Sequence, residues 1–185
     1  MEWRNLQLGD VIDYQNGLWS GKKGTLTRAK VIRVTEMKDN GTYDLSTTKE
    51  LQVEARKLTT RKVVQNSILL ERSGGGENKP VGRVIIFGED VLKDTYSFSN
   101  FTTLLLPKGD VVFPKYIFYS LYFFHLSGKT KQLQKAVTGI RNLEFKKYLE
   151  QTIPVPFKND KPDLAEQKRI ADKLDKISTQ NRLGL

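Results

Sequence analysis

The chain has 185 residues, 38% hydrophobic and 28% charged, with no cysteine and a formal net charge of +10. Such a length buries a real core and favours one domain with an appendage, while the lack of cysteine excludes disulfides and cysteine-based metal sites and leans towards a reducing compartment. No apolar run approaches the ~20 residues needed to span a bilayer and Met1-Glu2-Trp3-Arg4 opens no signal peptide, so a cytoplasmic protein without a membrane partner is expected.

Trp3, Leu6, Leu8, Val11 and Ile12 anchor the N-terminal segment. Asn16-Gly17 and Ser20-Gly21-Lys22-Lys23-Gly24 then read as turn and loop, with Lys22 and Lys23 either reaching phosphate or belonging to a solvated turn. Thr25 to Met37, rich in Thr, Val and Ile, predicts a strand that enters a hairpin at Asp39-Asn40-Gly41, and Val53, Leu58, Val63 and Val64 mark further short strands. In Gln65 to Phe87 the apolar runs Ile68-Leu69-Leu70 and Val84-Ile85-Ile86-Phe87 flank a polar segment with Gly74, Gly75 and Gly76, which predicts strand, excursion, strand. The glycines can adopt positive φ and admit another backbone, and Arg72, Lys79 and Arg83 bring positive charge to the same place. The segment reads as a polyanion-binding loop or as a flexible hairpin with scattered charges. Tyr96 to Leu106 predicts another strand, so the first 110 residues are mainly β.

Pro114 opens the most aromatic segment, where Ile117, Leu121 and Phe124 recur at helical spacing and Gly128 supplies a stop. Its density of rings fits a buried helix better than a base-stacking surface. Lys129 to Val137 predicts a second helix, with Lys129, Lys131 and Lys135 on its surface. Thr138-Gly139-Ile140-Arg141 ends it, and Asn142 is a candidate cap for a third helix through Tyr148 and Leu149, whose N-terminus beside Arg141 suits a phosphate; an ordinary cap and a surface charge is the alternative. Ile153-Pro154-Val155-Pro156 must be extended. Asn159-Asp160-Lys161-Pro162 reads as a linker, and Asp163 with Glu166 forms the capping-box signature of a terminal helix. There Ile170, Leu174 and Ile177 make a narrow seam of coiled-coil type, facing an external partner or packing back on the domain. The expected fold is α+β: a mainly β N-terminal part with short helices, residues 1–158, followed by a long C-terminal helix over 159–185 that forms a coiled-coil-type interface.

The excess charge is concentrated. Residues 45–87 hold eight Lys and Arg against four Asp and Glu, and residues 129–158 hold seven against two, which is nine of the ten excess charges. A partner that is a polyanion follows, with Arg72, Lys79, Arg83, Lys129, Lys131 and Arg141 expected on one basic face.

Four stretches carry a resemblance. They are Trp3 with Leu8-Gly9-Asp10-Val11-Ile12; Ile68 to Gly75 with Asn78 and Val81-Gly82-Arg83; Thr138 to Leu143; and Ile153 to Pro156 with Leu164 to Ala171. In this order the chain resembles the target recognition domain of a Type I restriction-modification specificity subunit, in a form with room for one such domain where family members usually carry two. The resemblance implies sequence-specific binding of double-stranded DNA, and with the loops and the charge distribution it makes Lys22, Lys23, Arg72, Ser73, Gly74, Gly75, Asn78, Lys79, Arg83, Lys129, Lys131 and Arg141 the candidate contacts. It implies partners as well: a methyltransferase subunit that brings S-adenosylmethionine, a restriction subunit that brings ATP and magnesium, and a possible homodimer through Ile170, Leu174 and Ile177. The chain itself is expected to bind none of these cofactors and no metal.

Catalytic motifs are missing from the sequence. Gly128-Lys129-Thr130 lacks the earlier glycine of a phosphate-binding loop, because Phe123 stands there, and Lys79 stands where a dinucleotide fingerprint needs its third glycine. His125 is the single histidine and has no cysteine companion. A non-catalytic specificity element is expected, with a DNA-binding module outside restriction, a specificity fragment that no longer assembles, and a phosphate-handling enzyme using the glycine loop as alternatives.

Overall fold

The computed structural model describes residues 1–18, 24–76, 79–137 and 139–183. Strand β1 (Glu2–Gln7), a single helical turn α1 (Leu8–Val11) and β2 (Ile12–Asn16) open the chain. Strands β3 (Leu26–Ile32) and β4 (Lys49–Glu54) pair antiparallel, and α2 (Ala55–Leu58) follows. The glycine stretch supplies β5 (Ile68–Glu71), β6 (Ser73–Gly75) and β7 (Val84–Ile86). Next come β8 (Tyr96–Phe98), β9 (Thr102–Pro107) and helix α3 (Pro114–Leu126). The remainder is β10 (Gln134–Val137), β11 (Ile140–Leu143), α4 (Phe145–Leu149), β12 (Thr152–Lys158), β13 (Lys161–Pro162) and the terminal helix α5 (Leu164–Leu183).

A continuous apolar run needs burial on both faces, and β5 obtains it at the centre of an antiparallel sheet ordered β2-β9-β5-β7. Leu69 stands opposite Leu104 on one side and Ile85 on the other, and all three face a cluster with Ile32, Phe87 and Phe98. Ile68 and Leu70 face the other way, into the main core with Leu105, Ile117 and Tyr148. The β4-β3-β8 sheet thus covers one face of the central sheet and the helices cover the other. Strand β1 pairs with β12, which pairs with β13.

Helix α3 starts at Pro114, whose missing N–H is harmless in the first turn, and stops at Gly128 with φ +76. Tyr116, Ile117, Phe118, Tyr119 and Leu121 are buried, as the core reading of the aromatics requires. Asp163 caps α5 by accepting the Glu166 N–H at 3.0 Å. Helix α5 packs back on α3. Ala171 is fully buried, the Gln167 amide bonds the Phe113 N–H and the Val111 carbonyl, and Asp175 accepts the Tyr119 hydroxyl at 2.6 Å.

Several local expectations are corrected. Lys129 to Val137 is not a helix: a 3-10 turn, Lys129–Leu133, runs into β10, which pairs with β11 across the turn at Gly139 (φ +80). Asn142 lies in β11 and caps nothing; α4 starts after Glu144 without a side-chain cap, so no helix N-terminus stands beside Arg141. Leu58 belongs to α2, and Val63 and Val64 to no strand. The expected linker is a tight turn, with Asn159 and Asp160 at positive φ, that folds β13 onto β12. In the terminal seam, Ile170 and Leu174 pack against the main core and Ile177 is 52% exposed. The seam therefore spends two of its three residues on its own domain. Among the described residues no helix is long and apolar enough to cross a membrane.

Candidate nucleic-acid interface

Where the central sheet meets the small β10-β11-β6 sheet, the chain forms an open cleft of about 450 Å³. Four separate segments build it. Asn16 and Gly17 end β2, Arg72 and Ser73 join β5 to β6, and Asn100 and Phe101 form the turn between β8 and β9; Asn142 and Leu143 close it from β11. The backbone holds these segments tightly: the Phe101 carbonyl accepts from Arg72 N–H at 2.8 Å and Ser73 N–H at 3.2 Å, and the Arg72 carbonyl accepts from Leu143 N–H at 2.8 Å. Gly17 must be glycine, since a Cβ there would lie 1.8 Å from the Ser99 carbonyl oxygen.

The side chains form two polar pairs. Arg72 donates to Asn16 Oδ1 at 3.1 Å, and the Ser73 hydroxyl donates to Asn142 Oδ1 at 2.6 Å, a contact fixed by the antiparallel register of Asn142 with Ser73. The Arg72 guanidinium lies 4.3 Å over the Phe145 ring, which meets Tyr14 edge-on at 4.8 Å. Burial lowers the pKa of Arg72 from the usual arginine value, and it has no acidic partner among the described residues. A half-buried cation without a counter-charge among the described residues, beside an exposed Phe101, suits a ligand with acceptor groups and flat rings.

The other expected contacts are distributed unevenly. Lys22, Lys23 and Asn78 lie outside the described residues. Gly74 takes φ +115, while Gly75 is buried where a Cβ would sit 2.1 Å from the Lys79 carbonyl oxygen, so the backbone that the glycines admit is that of their own loop. Lys79 is exposed at the rim of a shallow hollow with Gly74 and Arg83. Lys129 and Lys131 are exposed on the 3-10 turn, and Arg141 donates to the Gly76 carbonyl at 2.8 Å.

Arg83 requires a correction. It is 7% exposed and forms a two-pronged pair with Glu71, Nε to Oε2 at 2.8 Å and Nη2 to Oε1 at 2.9 Å. Its remaining donors reach the Met37 and Val34 carbonyls and Asp39. A guanidinium with all five N–H groups occupied has nothing left for phosphate, so Arg83 does not belong to a basic face. Conversely, the sequence places none of Asn16, Asn100, Phe101 and Asn142 in a shared cleft. Asn16-Gly17 and Ser99-Asn100 look like ordinary turns in sequence, and only the pairing of β2 and β5 with β9 brings them together.

A sequence profile for the Type I restriction modification DNA specificity domain matches residues 1–184. The chain belongs to this family. Among solved structures, this specificity domain is similar to a chain in a structure of complex assembly and conformational transition in the type I R-M system (TM-score 0.64, 19% identity, 96% of this chain and 38% of that one). It is also similar to the Type-I restriction-modification system S subunit from M. genitalium (TM-score 0.60, 15% identity, 97% and 40%) and to the HsdS subunit from Thermoanaerobacter tengcongensis (TM-score 0.58, 20% identity, 96% and 38%). The specificity domain thus shares their fold and spans about two fifths of their length. No curated protein matches the chain. Among its described residues no group of three His, Cys, Asp or Glu is placed to hold a metal ion.

Proposed function

We propose that this domain binds double-stranded DNA in a sequence-dependent manner through the cleft of Asn16, Arg72, Ser73, Asn100, Phe101 and Asn142, as the DNA-reading half of a Type I restriction-modification specificity subunit. The family match over residues 1–184 carries the reading, and the polar lining of the cleft supports it. The exposed Lys79, Lys129 and Lys131 supply phosphate contacts that set register, while the half-buried Arg72, Ser73, Asn100 and Asn142 and the exposed Asn16 face the base edges. Residues 1–158 hold the recognition surface and residues 159–185 the docking helix. The outer face of α5, with Ile177 exposed, receives a methyltransferase subunit or a second copy of the chain, and a restriction subunit joins the assembly. S-adenosylmethionine, ATP and magnesium are used by those partners; this chain is non-catalytic. A second copy, or a second recognition domain, supplies the other half-site.

Duplex binding measured over a salt series tests the proposal. Affinity should fall with salt, each engaged phosphate contributing about −0.9 to the log-log slope, and one sequence should be preferred over a random pool. No binding at low salt, or equal affinity for every duplex, would refute it.

A further inference from the structure

The hydrogen-bond polarity of the cleft restricts which base edge fits it. A guanidinium only donates, so the atom of Asn16 that faces Arg72 at 3.1 Å is the amide oxygen, and the Asn16 NH₂ is turned away from Arg72. The Asn142 oxygen is likewise engaged, by the Ser73 hydroxyl at 2.6 Å. Neither amide NH₂, nor Nε and Nη2 of Arg72, has a hydrogen-bond partner among the described residues. The stacking of Arg72 at 4.3 Å over Phe145, itself braced by Tyr14, fixes the plane of the fork. The cleft, lined also by the exposed Phe101 and by Leu143, therefore offers donors, with the Arg72 fork held in a fixed plane.

Three groups of a duplex carry acceptors only: the backbone phosphate, the minor-groove edge of an A·T pair with adenine N3 and thymine O2 on different bases, and the major-groove edge of guanine, which alone sets two acceptors, O6 and N7, side by side on one base to match a planar fork. Adenine and cytosine place an amino donor there, and thymine replaces the second acceptor with a methyl group. The recessed position, the planar fork and the flanking ring favour a flat base over a phosphate, which exposed lysines serve at lower desolvation cost. We propose that Arg72, positioned by Asn16 and Phe145, reads a guanine through O6 and N7, with Asn16 donating to an acceptor of the same or the adjoining base pair. The inference rests on the DNA reading above.

The test is selection of sites from a randomised duplex pool by the intact protein and by its Arg72→Lys and Asn16→Ala variants, followed by titration of the selected site with 7-deazaguanine at each guanine. The wild type should select a site with a fixed guanine, and 7-deazaguanine at that position alone should weaken binding severalfold. Arg72→Lys keeps the charge and loses the fork, so preference for that guanine should fall by about 5- to 150-fold, the range of a lost bidentate base contact, with the change confined to one position. A site without a fixed guanine, or indifference of the wild type to 7-deazaguanine, overturns the inference even if the variants fail to fold. Arg72→Lys weakening all sequences alike identifies a phosphate contact and overturns it too. If the wild type selects no sequence, the DNA reading itself falls, an outcome distinct from either.

Discussion

Replacing Arg83 by Met removes the cation from a carboxylate that is 2% exposed and leaves the Met37 carbonyl without its donor, while the Val34 carbonyl keeps the Met37 N–H at 3.3 Å. Breaking a buried ion pair from one side costs about 3–5 kcal/mol, because the remaining charge stays buried without compensation. For a chain of this size the melting temperature should fall by roughly 6–20 °C. Replacing Glu71 as well, in the double variant Arg83→Met with Glu71→Leu, removes the orphaned charge and should recover most of the loss. The Met37 carbonyl remains unpaired and keeps a deficit of about 1 kcal/mol. Urea unfolding of the four proteins of this cycle, with duplex binding measured on the folded fraction, is the assay. The reasoning fails if Arg83→Met unfolds at the wild-type midpoint while binding to every duplex weakens, because that is how an exposed phosphate contact behaves.

Gly75→Ala places a Cβ 2.1 Å from the Lys79 carbonyl oxygen, so the loop must open; destabilisation of about 1–3 kcal/mol in urea, with weaker DNA binding, is expected, whereas Gly76→Ala meets nothing within 4 Å and should unfold as the wild type does. Burial pushes the fully buried Glu36 carboxyl up, but hydrogen bonds from the Arg33 side chain and N–H and from Thr35 outweigh it and leave its pKa below the usual glutamate value. Its stabilisation is therefore complete above the unfolded-state pKa of about 4.3 and is lost as pH falls through the lower folded value. Melting temperatures from pH 7 to 3 should show this acid loss, and Glu36→Gln should flatten it. Ala171→Glu buries a charge at the α3–α5 contact and should release α5, seen as faster hydrogen exchange over residues 164–179, while Ala165→Glu, at an exposed position, should not.

The parts of the fold legible in sequence are those whose signals are local. Ile68-Leu69-Leu70 and Val84 to Phe87 announce strands buried on two faces, Pro114 and Gly128 bracket α3, and Asp163 marks the start of α5. Lys129 to Val137 misled because helical spacing in a short polar segment does not compete with a glycine turn that hands β10 to β11 and β11 to β6, partners more than sixty residues away in sequence. Arg83 was read as surface charge although a signal was present. Continuing the antiparallel register Ile68 with Ile86, Leu69 with Ile85 and Leu70 with Val84 by one step puts Glu71 opposite Arg83, an opposite-charge cross-strand pair. The cleft was half legible: Arg72 and Ser73 stood out beside the glycines, but Asn16, Asn100 and Asn142 are scattered over the chain and carry no local mark of a shared site.

Glu71 and Arg72 are neighbours at the end of β5, and successive side chains leave a strand on opposite faces. Glu71 turns inward to Arg83, and Arg72 turns to the cleft, where no carboxylate among the described residues meets it. The same strand end thus carries one neutralised charge pair and one cation held in reserve. The pair also fixes the second: Arg83 ties Glu71 to the Val34 and Met37 carbonyls, which sets the strand end from which Arg72 reaches Asn16. Arg83 should therefore influence base preference only by moving Arg72. If so, Arg83→Met on top of Arg72→Lys changes stability and adds no further loss of preference at the base that Arg72 reads. An additional, position-specific loss in the double variant would mean that Arg83 reaches DNA itself, against its burial.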